Sequence, residues 1–436
     1  MNVQLPHGAS GFYPAPANHI EGDPTPWDQA VYIPSVTPGF AIQVYAEDWP
    51  RDLPAGVEPR DLNFLDPDNR LFRISHVMSS AGQAMLQKKP CIVQTRDRKS
   101  TVLICDSGGY QIATKQLTID GDHDRLEILR WLERNADWAM TLDVPTGRLG
   151  DPEYPYKTFA DCLNETVYNL EFFQKHRVPG ATKFLNVLQG NDRKQADYWY
   201  NAVKGFEFEG WAFAGKLRHN FFYLCRRIIK MASENLIQDR NWIHILGTCQ
   251  PETAVGLTAL QRSINRHINP HLRISYDTST PFRMLRGRSV FTLPRFDRDG
   301  MTIRTEKCPD GKPYINSPVK FPWPSPLGDK MTLGDLNVKP GHNLNSYRDN
   351  QANHYLAHHN LASLCYGIAL ANRVFDSESI EGKHTVAETM GEAIAAIDHV
   401  LKSRSLQELE RKRSVFNRVR KIELTSDNEQ DRFFQE

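Results

Sequence analysis

Asp106, Asp143 and Asp277 each stand at or just behind the end of a short apolar run: Thr101-Val102-Leu103-Ile104-Cys105, Trp138-Ala139-Met140-Thr141-Leu142 and Leu272-Arg273-Ile274-Ser275-Tyr276. Two carboxylates facing each other across a pocket are the apparatus for breaking a glycosidic bond. One attacks or shields the anomeric carbon and the other handles the leaving group's proton. Asp277 lies in the hydroxyl-rich stretch Ile274-Ser275-Tyr276-Asp277-Thr278-Ser279-Thr280-Pro281-Phe282-Arg283, surroundings that suit an ionised nucleophile. Asp106, between a buried strand and Tyr110, is the candidate proton shuttle, because burial raises a carboxyl pKa towards neutrality. Asp143 can accept from two donors on a heterocycle, or simply cap the turn before Pro145. The stretch Cys105-Asp106-Ser107-Gly108-Gly109-Tyr110-Gln111 adds a hydroxyl, two glycines that let something flat approach the backbone, an aromatic face and an amide. It reads as a pocket for a planar polar ligand, or as a tight βα turn with Asp106 as helix N-cap.

The elements that must position these residues follow a repeating grammar. Strand-like runs at Leu71–Val77, Val102–Cys105, Trp138–Leu142, Phe184–Leu188, Trp211–Phe213, Trp242–Leu246 and Leu272–Tyr276 alternate with helical segments. Those segments are Ser79–Gln87, Asp124–Asn135, Phe159–His176, Arg193–Lys204, Phe221–Gln238 and Glu252–Arg266. Such alternation predicts a parallel sheet, and the absence of a Gly-x-Gly-x-x-Gly turn favours an α/β (β/α)8 TIM barrel over an open sheet. In a barrel the active site belongs at the carboxyl ends of the strands. There stand Asp106-Ser107, Asp143, Gln189-Gly190, Ala214-Gly215, Gly247-Thr248 and Asp277.

Residues 1–68 read as an irregular N-terminal cap with one or two strands, 69–284 as the main part of the barrel, and 285–345 as a long basic insertion near its C-terminal face. Residues 346–436 supply a closing barrel helix and a charged helical tail, which either touches phosphates or is a solvated helix face. With 436 residues, 40% of them hydrophobic and 24% charged, the chain can bury a large core. The net charge of +1 leaves any nucleic-acid contact to a local basic patch. Seven cysteines without a Cys-x-x-Cys pair imply neither a disulfide framework nor a common zinc knuckle, and suit a reducing cytoplasm. No apolar run reaches the ~18 residues of a membrane span, and the N-terminus is unlike a signal peptide. A soluble cytoplasmic protein is expected.

Asp106-Ser107-Gly108-Gly109-Tyr110-Gln111 resembles the signature of the tRNA-guanine transglycosylases. The likeness continues in order through Leu142-Asp143, Val187-Leu188-Gln189-Gly190, Ala212-Phe213-Ala214-Gly215, Ile245-Leu246-Gly247 and Tyr276-Asp277, and touches His358-His359-Asn360-Leu361. The resemblance implies Asp277 as the nucleophile that forms a covalent glycosyl-enzyme, and Asp106 as the general acid/base. It also implies Ser107, Gly108, Gly109, Asp143, Gln189 and the Gly215 backbone around the edge of the base, with Tyr110 and Leu246 sandwiching its ring. Arg283 matches a family arginine near the nucleophile; with Arg286 and Arg288, from the basic insertion that follows, it is a candidate phosphate contact.

The chain departs from that pattern at the zinc site. His359 matches the family's zinc histidine, but no cysteine precedes it in Met331–Asn345, so no cofactor and no structural zinc are expected. The loop Ala214-Gly215-Lys216-Leu217-Arg218-His219-Asn220 also differs, so which 7-substituent is accepted does not carry over. The base pocket is kept while the polymer-contacting parts change. The chain thus looks most like the DNA-modifying branch, which replaces guanine in DNA with a 7-deazaguanine, typically the 7-cyano form (preQ0). The expected partners are DNA, the free 7-deazaguanine base and companion proteins of a DNA-modification system. The alternatives are the same chemistry on tRNA, a barrel glycoside hydrolase, and a nucleic-acid-binding accessory protein without catalysis.

Overall fold

A computed structural model describes residues 26–87, 89–114, 116–287, 289–297, 300–338, 346–376 and 388–419. Eight short strands run parallel: β1 (Val31–Pro34), β2 (His76–Ser80), β3 (Val102–Asp106), β4 (Trp138–Met140), β5 (Lys183–Leu188), β6 (Gly210–Phe213), β7 (Trp242–Ile245) and β8 (Arg273–Thr278). Successive strands from β2 to β8 are neighbours, and β1 pairs with β8 from Val31–Ser275 to Pro34–Thr278. The ring closes where Ser35 bridges Met78 and the Val36 amide donates to the Met78 carbonyl at 3.0 Å. The result is the α/β (β/α)8 barrel.

Helices cover the outside. They are α1 (Pro38–Ala46), α2 (Ala81–Gln87), α3 (Ile92–Thr95), α4 (Gly109–Ala113), α5 (Gly121–Asn135), α6 (Phe159–His176), α7 (Arg193–Val203), α8 (Phe221–Ser233) and α9 (Pro251–His267). Their starts are chemically marked. Thr158 and Asp161 form a capping box on α6, Asp192 accepts from the Gln195 amide on α7, and Pro251 opens α9. After β8 come α10 (Thr280–Arg283), the antiparallel pair β9 (Ser289–Asp297) and β10 (Gly300–Lys307), and α11 (Leu333–Leu336). The long α12 (Asn350–Asp376) then closes the barrel beside α9, and α13 (Glu388–Ser403) and α14 (Leu406–Arg411) pack outside it.

Alternation along the strands sorts the core in two. Val31, Ile33, Met78, Ile104, Trp138, Met140, Leu185, Val187, Ala212 and Trp242 pack together inside the barrel. Their neighbours in sequence, such as Tyr32, Val77, Leu103, Ala139, Phe184, Trp211, Ile243 and Ile274, pack outward against the helices.

The segment read as an irregular cap contains a barrel strand and a helix. The barrel's first strand, Val31–Pro34, lies inside the segment read as an N-terminal cap. The apolar patch Phe40–Tyr45 is helical, because Pro38 opens α1 and Phe40, Ala41 and Val44 make a helical face on the core. Three of the tail's described cations form ion pairs: Arg411 with Glu408, Arg413 with Glu410 and Arg418 with Glu392. This favours the solvated helix face. Among the described residues no helix is long and apolar enough to cross a membrane.

The insertion is tied to the barrel through α12. Buried Asn360 accepts from the Phe291 amide at 2.8 Å and donates to the Pro281 carbonyl at 3.3 Å. Buried His359 places Nε2 2.9 Å from the Phe291 carbonyl and Nδ1 2.8 Å from Ser325 Oγ. Replacing Asn360 by alanine strands the buried Phe291 N–H and is expected to cost roughly 1–3 kcal/mol. A urea midpoint equal to that of the wild type would show that this tie is not needed for stability.

Candidate active site

The period-2 phase that fills the barrel floor also selects the residues at its mouth. Two positions beyond Met78, Ile104, Val187 and Ala212 come Ser80, Asp106, Gln189 and Ala214. Trp242 is followed on the same phase by His244 and Leu246. β8 adds no apolar side chain to the inner cluster, and its residues on that phase are Arg273, Ser275 and Asp277. Asp143 arrives three residues after β4 ends at Met140.

Asp277 is nearly buried, and its Oδ1 lies 2.8 Å from the Gly247 amide and 3.2 Å from His244 Nε2. Among the described residues Oδ2 has no hydrogen-bond partner. Asp106, half-buried at the end of β3, has its pKa pushed up to about 6, chiefly by desolvation. The Gly108 amide opposes that rise, while the negative charge of Asp277 adds to it, so the two carboxylates sense each other across the mouth. Ser80 Oγ lies 3.4 Å from Asp106 Oδ2 and donates to Gln111 Oε1 at 2.9 Å. Asp143 is raised to about 7, again mainly by desolvation, with Gln189 opposing and Asp106 adding to the shift. Gln189 Nε2 donates to Asp143 Oδ2 at 2.7 Å.

Glycines bring the backbone close. Gly108 has φ +111 and packs on Gly82, where a Cβ would lie 3.0 Å from the Gly82 Cα. A Cβ on Gly109 would lie 3.1 Å from the Asp143 carbonyl oxygen, so the β3 loop and Asp143 are in contact.

Asp106, Asp143, Gln189, Leu246 and Asp277 thus share one end of the barrel with Gly108 and Gly109. Ser107, beside them, is fully buried and its hydroxyl donates to the Thr141 carbonyl at 3.1 Å. The Gly215 carbonyl is taken by Arg218 Nη1 at 2.7 Å, while Arg218 Nε donates to the Leu246 carbonyl at 2.6 Å. Arg283 ends α10, half-buried. Arg288 lies outside the described residues, as do the side chains of Tyr110 and Arg286.

Ser80, Arg218 and His244 escaped the sequence reading. Ser80 and His244 carry a signal in retrospect, since each sits on the lumen phase of its strand. Arg218 carries none.

The residues around His359 do not fit zinc. Both ring nitrogens are engaged by Ser325 Oγ and the Phe291 carbonyl, and Phe321 packs edge-on at 4.8 Å. Among the described residues, metal-type side chains with atoms within 4.8 Å of one another occur at His123, Asp124 and Glu127. They lie in the first turns of α5, where Asp124 accepts from the Asp120 amide and acids complement the helix dipole. Neither a scan of protein-family models nor a search of curated proteins finds a match to the chain.

Because Asp143 titrates near 7 when folded and near 4 when unfolded, its stabilising contribution is complete below about pH 4 and is lost as pH rises through 7. Asp143→Asn should therefore gain stability relative to wild type between pH 5 and pH 8, by on the order of 2 kcal/mol. Thermal melts across that range test it; a difference that does not change with pH would mean the carboxyl is not desolvated.

Proposed function

We propose that the protein exchanges guanine in DNA for a 7-deazaguanine, with the 7-cyano form as the expected base, through a covalent aspartyl-glycosyl intermediate. The observation that carries this reading is the pairing of two unequal carboxylates at one barrel mouth. Asp277 has one oxygen held by the Gly247 amide beside His244 Nε2 and the other unpartnered among the described residues, while Asp106 has its pKa pushed up to about 6. Oδ2 of Asp277 attacks C1′ of the guanine nucleotide. The C1′–N9 bond breaks, its electron pair stays on N9, and the proton of Asp106 neutralises the departing guanine. The incoming 7-deazaguanine then gives its N9 proton to Asp106. Its N9 pair attacks C1′, and the C1′–Oδ2 bond breaks to restore the Asp277 carboxylate. One glycosidic bond replaces another, so the exchange needs no redox cofactor and no external energy.

Asp143 and Gln189 form a buried donor–acceptor pair suited to the polar edge of a purine extruded from its stack. The choice of DNA over tRNA rests on the resemblance, which keeps the base pocket while the polymer-contacting parts depart from the tRNA enzymes. The insertion is rich in arginines and follows Asp277 directly, where it can meet phosphates.

Labelled guanine incubated with the protein and either duplex DNA or tRNA should enter DNA. Entry into tRNA alone would reverse the choice of polymer, and base release without exchange would indicate a hydrolase. Asp277→Asn should abolish incorporation, and Asp106→Asn should slow it by roughly 10²–10⁴-fold. Wild-type rates in the Asp277→Asn protein would dismiss the covalent route. The rate of the wild type should also bend near pH 6, where Asp106 exchanges its proton.

A further inference from the structure

β7 and β8 carry a hydrogen-bonded polar seam on the inner face of the barrel. The Trp242 indole N–H, which can only donate, reaches Ser275 Oγ at 2.7 Å. Ser275 Oγ lies 2.8 Å from His244 Nδ1, and Nε2 of the same ring lies 3.2 Å from Asp277 Oδ1. A carboxylate only accepts, so a neutral His244 carries its proton on Nε2 and leaves Nδ1 to accept from the Ser275 hydroxyl. Ser275 and His244 are fully buried, and Trp242 nearly so. Trp242 is itself wedged in the barrel floor, with its ring centroid 5.2 Å from that of Trp138. A rigid indole therefore sets the hydroxyl, the hydroxyl sets the imidazole tautomer, and the imidazole sets the carboxylate.

We propose that His244 is a positioning residue for Asp277, locked by Trp242 and Ser275 as the Nε2–H tautomer, holding Oδ1 so that Oδ2 is the oxygen that bonds to C1′. This role rests on the base-exchange reading of Asp277. It has a consequence that a purely structural role lacks. Oδ1 is most negative when Asp277 is free and least negative when Oδ2 is esterified, so the His244 bond is strongest to the free carboxylate. It favours departure of the aspartate from C1′ over retention of the ester. Removing it leaves a larger share of the enzyme covalently joined to nucleic acid, while KM for the free base changes little.

Ser275→Ala is the least disruptive variant, because it frees Nδ1 without touching Asp277. His244→Leu removes the donor, and His244→Gln restores one near the Nε2 position. With labelled DNA, or tRNA if that is the polymer used, denaturing gels should show the adduct share rising about 10-fold in His244→Leu, the weight of one hydrogen bond to a charged group. The rise should be smaller in Ser275→Ala and largely reversed in His244→Gln, with kcat falling in parallel. Imidazole ¹⁵N NMR of the wild type, assigned by loss of the signal in His244→Leu, should find the proton on Nε2. In Ser275→Ala that tautomer preference should weaken. A proton on Nδ1 in the wild type would overturn the chain whether or not the protein exchanges bases. Exchange by the wild type with an unchanged adduct share in His244→Leu and Ser275→Ala would overturn the positioning role alone. Absence of any exchange by the wild type would defeat the base-exchange reading, and with it the role assigned to His244, while the NMR result would still decide the tautomer.

Discussion

Side chains on a barrel strand alternate between lumen and shell, so the residue at which a strand ends decides what faces the mouth. Here the inner phase is apolar through Val31, Ile33, Ile104, Met140, Leu185 and Val187, then turns polar at Asp106 and Gln189. Nothing else about the site is as constraining. A slip of one residue in β3 would send Asp106 into the helical shell and bring Cys105 to the mouth. The parallel register, Ser80 with Asp106 and Ile33 with Asp277, keeps those side chains at their depths.

The same apolar floor does electrostatic work. It withdraws water from below the carboxylates, which is why desolvation is the largest cause of the upward shifts at Asp106 and Asp143. Asp277 lies against a polar part of the lumen, because β8 supplies no apolar side chain to the inner cluster and β7 supplies His244, which stands with the Gly247 amide beside Oδ1. Trp242 takes part in both arrangements, its ring packed in the floor and its N–H feeding the polar seam. Two carboxylates placed in unlike surroundings can divide acid and nucleophile duties without a metal.

The barrel was legible because its helices are amphipathic and its inner strands are continuous apolar runs. The segment Phe159–His176 is predicted to the residue, since a capping box starts it and Arg177 leaves the helical region after it. β1 was obscured by its length of four residues and by its terminal Pro34, which is tolerated because the chain leaves the ladder there. The carboxylates could be found because charge after an apolar run is conspicuous. His244 could not, because one histidine inside Trp242-Ile243-His244-Ile245 reads as a satisfied core residue until its partners are known. The Ser107 contact was hidden for the opposite reason: a hydroxyl beside an acid invites a ligand role, and only the fold shows it on the outward phase, donating to the Thr141 carbonyl.

The insertion poses a different problem, since a long excursion soon after β8 could leave Asp277, the proposed nucleophile, on a loose end. α12 prevents this by gripping the chain twice. Asn360 holds Pro281, four residues beyond Asp277, and Asn360 with His359 holds both polar groups of Phe291. The stretch between these anchors contains Arg283, Arg286 and Arg288, so cations offered for phosphate contact lie on a segment whose two ends are fixed against one barrel helix. His359 is fixed in orientation at both ring nitrogens by a serine hydroxyl and a strand carbonyl, and Ser325 and Phe291 are both buried. The grip thus transfers the rigidity of the closing helix to the end of β8, where the position of one carboxylate oxygen matters most.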